Sequence, residues 1–261
     1  VPERNGRQVV LNPLREHPGG GYSMDFDQLA RVADDRCRLL LLSNPHNPGG
    51  IVWDPETLRR LAAFCDERGI LVVSDEIHCD MALWDNRHTP FASVSEAAAR
   101  CSITFGAPTK TFNIAGIVSS YAIVPDETLR NRFFSWLAAN ELDAPNLFAP
   151  IATVAAFREG EAWRRQMLRY VEGNVELVIG FCAEHLPAIR PLRPQASFLG
   201  LGLRHEELQR LFIDEARLAL NDGALFGREG EGFMRLNVGA PRAVVREALE
   251  RLRDAVARTV K

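Results

Sequence analysis

Between Cys37 and Ser74 the chain carries two continuous apolar runs of strand length, Cys37-Arg-Leu-Leu-Leu-Leu-Ser43 and Ile70-Leu-Val-Val-Ser74, separated by one helix-patterned segment. No other feature restricts the fold as much. Runs without polar alternation suit strands buried on both faces of a parallel sheet, and parallel neighbours need a crossover between them. That crossover is legible. Asp54 can cap a helix, Pro55 can occupy its first position, Leu58, Leu61, Ala62 and Cys65 form its apolar stripe, and Gly69 ends it. Cys101 to Phe105 reads as a third strand and Ile117 to Val124 as a fourth. The predicted class is α/β, three-layered around a mostly parallel sheet, followed by a smaller α+β C-terminal domain.

The flanks are less regular. Gln8 to Leu11 is a short β-branched run, His17 to Tyr22 a glycine-rich loop, and Asp25 to Ala33 has helical spacing. The glycines of that loop are not followed by the Lys-Ser/Thr that a phosphate-cradling P-loop requires, so a flexible loop is expected. From Asp126 the pattern is helical, with a long amphipathic stretch from about Gly160 to Leu186. Pro187 to Pro194 is the most linker-like segment. Beyond it the spacing predicts a strand at Ser197 to Leu203, a helix at His205 to Ala219, a strand at Gly232 to Val238 and a helix at Pro241 to Arg258. The expected division is a large domain over 1–158, a connecting helix over 159–187 and a small domain over 188–261.

Composition excludes some functions. A net charge of -3 with 46% hydrophobic and 25% charged residues favours neither nucleic acid nor an acidic membrane as partner. No apolar run approaches the roughly 18 to 20 residues of a spanning helix, and Val-Pro-Glu-Arg-Asn is not read as a signal peptide. A cytoplasmic location is expected. The five cysteines are scattered and never spaced Cys-x-x-Cys, so buried thiols are expected rather than disulfides or metal ligands.

Of the 31 basic residues only two, Lys110 and Lys261, are lysines. Lys110 therefore asks for a reason beyond charge. A guanidinium cannot replace an amine that must lose its proton and attack a carbonyl, which points to a Schiff base. Asn47 follows the first strand, Asp75 ends the second and Lys110 follows the third. Ligands bind at the carboxyl ends of strands in open α/β sheets, so an amide, an acid and an amine can surround one flat polar ligand there. Taken singly, each has a plain alternative: a turn former, a helix cap and a surface cation.

Asn44-Pro-His-Asn-Pro-Gly-Gly50, Asp75-Glu-Ile-His78, Pro108-Thr-Lys-Thr-Phe-Asn-Ile-Ala-Gly116 and Phe233-Met-Arg-Leu-Asn-Val-Gly-Ala-Pro-Arg242 together resemble the hallmark segments of fold-type I pyridoxal-5′-phosphate (PLP) enzymes, the class I/II aminotransferase superfamily. With His88-Thr-Pro-Phe-Ala-Ser93, their wording is most similar to the cystathionine β-lyase or cysteine-S-conjugate β-lyase branch. The resemblance implies that Lys110 holds PLP and shuttles a proton, that Asp75 pairs with the ring nitrogen, and that Asn47 donates to the ring oxygen. It further implies that Thr109 and His78 lie near the cofactor and that Arg235 clamps a substrate carboxylate. Glu76 should point away from the site, because neighbouring strand residues face opposite sides.

Two positions depart from many members: Ala107 stands where Ser is common and Val118 where Arg is common. Both thin the phosphate cup and favour the lyase branch over a standard aminotransferase. The resemblance also implies a missing N-terminal third and a homodimer. The activity implied is cleavage of cystathionine, cysteine or a cysteine S-conjugate to a thiol, pyruvate and ammonia. An aminotransferase, or a non-catalytic binding relative on the same scaffold, is the alternative.

Overall fold

The structure is a computed structural model that describes residues 2–17, 20–196, 199–202 and 208–259. A short hairpin comes first, β1 (Arg15–Glu16) with β2 (Tyr22–Ser23), closed by His17 N donating to Gly21 O. Asp25 caps α1 (Phe26–Val32) through Gln28 N and also pairs with Arg15 at 2.7 Å. The expected crossover comes next as β3 (Leu39–Ser43), α2 (Pro55–Glu67) and β4 (Leu71–Asp75). Asp54 accepts from Glu56 N and Thr57 N, satisfying two of the free donors at the start of α2. Leu58, Leu61, Ala62 and Cys65 are buried. Burying each of the two leucines stabilises the fold by about 1.5 to 3 kcal/mol.

After α3 (Glu96–Arg100) the chain enters β5 (Ser102–Gly106) and then β6 (Tyr121–Ile123). The sheet order is β3-β4-β5-β6, with the first two pairings parallel and the last antiparallel. The fourth strand is shorter than the sequence pattern suggests. Residues 115–117 form a 3-10 turn and Val118 takes φ 51, a left-handed conformation that stops an extended run. Gly106 and Tyr121 are paired so closely that a Cβ on Gly106 would overlap the Tyr121 ring.

β3 also differs from expectation, since its apolar run predicts a strand buried on both faces. It lies at the edge of the sheet, and Leu39 and Leu41 are 46% and 60% exposed. The apolar run is real, but no neighbouring element among the described residues covers that side.

Helices α4 (Glu127–Ala139) and α5 (Phe148–Glu159) lead into α6 (Glu161–His185). The C-terminal sheet is β7 (Leu199–Gly202), β8 (Asn221–Asp222) and β9 (Phe233–Leu236), in the order β7-β9-β8. α7 (Arg242–Thr259) closes the chain. Ser197, Phe198 and Leu203 of the predicted strand and His205 to Glu207 of the predicted helix lie outside the described residues. Within the span of that predicted helix the chain forms a π-type turn at Arg210–Glu215, and Arg217 at φ 54 ends it before Ala219. The short β8 has no periodic signal of its own in the sequence.

Two buried clusters result. One packs Leu42, Trp53, Leu58, Leu61, Ile70 and Val72 beneath β3 and β4, and the other packs Val175, Val178, Phe212, Met234, Leu236 and Leu249 between α6, β9 and α7. Asn174, fully buried on α6, donates to Val238 O and Ala240 O and accepts from Arg242 Nε, so its amide is satisfied while it ties the exit of β9 to α6.

Candidate active site

The parallel register places Ser43 beside Asp75 and Asp75 beside Phe105, so β3, β4 and β5 end at one edge of the sheet. Their three exit loops carry Asn47, His78 and Lys110, and Asp75 is the last residue of β4 itself. The first loop is closed on itself. Asn47 N donates to Ser43 Oγ, His46 N to Ile51 O, and Trp53 Nε1 to Ser43 O at 2.9 Å. Gly50 has φ 65, and a Cβ there would sit 2.6 Å from Pro194 Cβ and 2.8 Å from Ala196 O. Glycine is required on both counts. Gly50 O accepts from Gln195 N and Ala196 N, which fastens this loop to the start of the C-terminal portion.

Asp75 is exposed at the strand end, with its carboxylate accepting from Ile77 N at 3.2 Å. Glu76 faces the other way, as strand alternation requires. It is 4% exposed and accepts from Ser74 Oγ and Phe91 N, with His88 Nε2 at 2.7 Å. Lys110 is exposed on the loop after β5, where its carbonyl accepts from Asn113 N. Thr109 is buried immediately before it, and its carbonyl accepts from Ile114 N.

Arg235 enters from β9. Its Nη1 donates to Asn47 Oδ1 at 3.4 Å and its Nη2 to Asn221 Oδ1 at 2.7 Å, while its guanidinium lies 4.7 Å over the Phe226 ring. Asn47 Nδ2 is in turn 3.3 Å from His78 Nε2. A polar chain thus runs from Arg235 through Asn47 to His78, its first link joining residues 188 positions apart. Burial pushes the His78 imidazole below its ordinary range; Asp75 opposes that shift, and the nearby charges of Lys110 and Arg235 add to it. His78 therefore registers the fields of all three charged candidates. Thr109 stands outside this hydrogen-bonded group.

Asn221 and Phe226 are invisible to sequence reasoning, because both meet Arg235 through the β8–β9 register and the turn after it, which no local pattern specifies. Ala107 is 3% exposed and Val118 78% exposed, so neither brings a donor to the site. The buried Thr111 hydroxyl beside Lys110 has no partner among the described residues.

Residues 3–252 match the family described as aminotransferase class I and II. The chain belongs to that family. Cystathionine beta-lyase PatB of Bacillus subtilis is 40% identical, with the match covering 97% of this chain and 67% of that protein. Protein MalY of Escherichia coli is 30% identical over 96% of this chain and 66% of its own length. Among solved structures, cystalysin from Treponema denticola, which contains a pyridoxal 5′-phosphate cofactor, superimposes with a TM-score of 0.94 at 29% identity, covering 98% of this chain and 67% of that one. This member of the family spans about two thirds of the length of these relatives.

Proposed function

We propose that the protein is a PLP-dependent carbon-sulfur β-lyase that converts cystathionine, cysteine or a cysteine S-conjugate, with one water, to a thiol, pyruvate and ammonia. The observation that carries the reading is the gathering of Asp75, Lys110 and Arg235 around His78 and Asn47 at one sheet edge. The donor set fits the cofactor. Asp75 offers a carboxylate whose only hydrogen bond among the described residues comes from a backbone amide, so it is free to pair with a protonated ring nitrogen. Asn47 offers an amide for a ring oxygen, Lys110 the one lysine amine among the described residues for a carbonyl, and Thr109 and Thr111 hydroxyls for the phosphate end.

When bound, PLP supplies an electron-accepting ring that stabilises negative charge at the substrate Cα. Lys110 takes the proton from Cα, and the electron pair released there breaks the Cβ–S bond, leaving sulfur as thiolate. Asp75 holds the proton on the ring nitrogen. Arg235 pairs with the substrate carboxylate through its planar fork, and Asn221, Phe226 and Asn47 orient that fork. His78 lines the site between them. Similarity to the cystathionine beta-lyase PatB supports sulfur chemistry over transamination.

A homodimer is supported by the apolar surface of α4 and α5, where Trp136, Phe148 and Ile151 are 59%, 68% and 66% exposed. Five free thiols support a reducing, cytoplasmic setting. The test is product analysis. Pyruvate and free thiol from cystathionine without a keto acid are expected, whereas strict dependence on 2-oxoglutarate or pyruvate would identify an aminotransferase. Absence of any PLP binding would favour a non-catalytic relative.

A further inference from the structure

We propose that Glu76 is a positioning residue for this site: buried on the opposite side of β4 from Asp75, it fixes where Asp75 and Asn47 stand relative to each other. Asp75 and Asn47 reach the site from two different strands, so their separation depends on how the ends of β3 and β4 are joined. Glu76 makes that joint. Its Oε1 accepts from Ser74 Oγ at 2.9 Å, from Phe91 N at 2.8 Å and from Asn44 Nδ2 at 3.4 Å, and its Oε2 lies 2.7 Å from His88 Nε2. Asn44, fully buried and three residues before Asn47, also donates Nδ2 to Thr89 O and its backbone N–H to Asp75 O. The Glu76 backbone N–H donates to Phe105 O, on the strand that leads to Lys110.

The geometry makes Glu76 a lever. Adjacent strand residues point to opposite faces, so any rotation of the β4 end that moves the Asp75 carboxylate must swing Glu76 against its four partners. A buried carboxylate is stable only while those partners are all in place, which makes the joint stiff. The role rests on the cofactor reading above, because it acts through residues assigned there.

The test pairs Glu76→Gln, which keeps volume and removes charge, with a measurement that needs no cofactor. In the unloaded chain, the His78 ring resonances are followed by NMR. They should move in Glu76→Gln and, less, in Ser74→Ala, a milder change that removes one donor and serves as the test should the first variant fail to fold. In parallel, the PLP dissociation constant should rise about tenfold on Glu76→Gln in the wild-type background but less than about twofold in an Asp75→Asn background, because there the carboxylate to be positioned is gone. Equal losses in both backgrounds, or unmoved His78 resonances in a folded variant, would overturn the proposal. A wild-type chain that binds no PLP would overturn the cofactor reading, and the His78 resonances alone would then decide for or against Glu76.

Discussion

The sheet wall of the site and its C-terminal wall are held by different forces. On the sheet side, three strand ends are locked by backbone ladders and by a buried polar joint of Asn44, Glu76 and His88, and the groups they present are an acid, an amide and an amine. On the C-terminal side one guanidinium stands on β9, above an apolar core that includes Met234 and Leu236, and is steered by Asn221 and Phe226. In the proposed function the sheet wall holds the cofactor and Arg235 on the C-terminal wall meets the substrate carboxylate. Arg235 itself reaches the sheet wall at Asn47 over a long 3.4 Å contact. Cofactor chemistry and substrate recognition should therefore separate by mutation.

The largest effect is expected at Lys110. Lys110→Ala should abolish C–S cleavage and any borohydride-trapped PLP adduct seen by mass spectrometry. Lys110→Arg should fail equally, because the retained charge is not the property needed. Substantial turnover by the Arg variant would remove the amine from the mechanism.

Asp75→Asn comes next, still on the sheet wall. PLP should bind, but turnover should fall at least about a hundredfold, since a neutral amide cannot keep a ring nitrogen protonated. Near-native kcat would reduce Asp75 to a cap on Ile77 N.

Across the divide, Arg235→Lys keeps a cation but loses the planar fork. KM for the amino acid should rise by one to two orders of magnitude, about 1.4 to 2.8 kcal/mol, with PLP affinity nearly unchanged. Loss of PLP binding in this variant would show that the two walls do not act separately.

The last effect is on stability and leaves catalysis aside: it concerns His46 in the Asn47 loop, where burial holds the imidazole down to about 4. Its neutral Nδ1 accepts from Gly49 N. Between the unfolded value near 6.5 and the folded one, the unfolded chain binds the proton more readily. Stability from this group is thus full above about pH 6.5 and falls by up to about 3 kcal/mol as pH drops toward 4. Urea midpoints at pH 7 and 4.5 should differ less in His46→Gln than in wild type, and identical differences would clear His46 of that role.

Much of this protein could be read locally. The α2 crossover, its Asp54 cap, its Pro55 start and the apolar strands on either side follow from short-range spacing, and parallel pairing then places three loops at one edge because crossover connections leave no other arrangement. The turn of Glu76 away from the Asp75 side follows from strand alternation alone. Other features needed the folded chain. Whether Leu39 and Leu41 are covered depends on which strand is at the edge, a property of sheet order and not of their own hydrophobicity. The late start of the fourth strand depends on Val118 adopting a left-handed conformation that its residue type disfavours. The meeting of Arg235 with Asn221, Phe226 and Asn47 required the β8–β9 register and the packing of α6 against α7 to bring together residues up to 188 positions apart. Sequence by itself determined which chemical groups are present and which strand ends they follow, because caps, turns and apolar periodicity act over a few residues. Tertiary structure alone decided which of them touch, because those contacts are set by long-range packing.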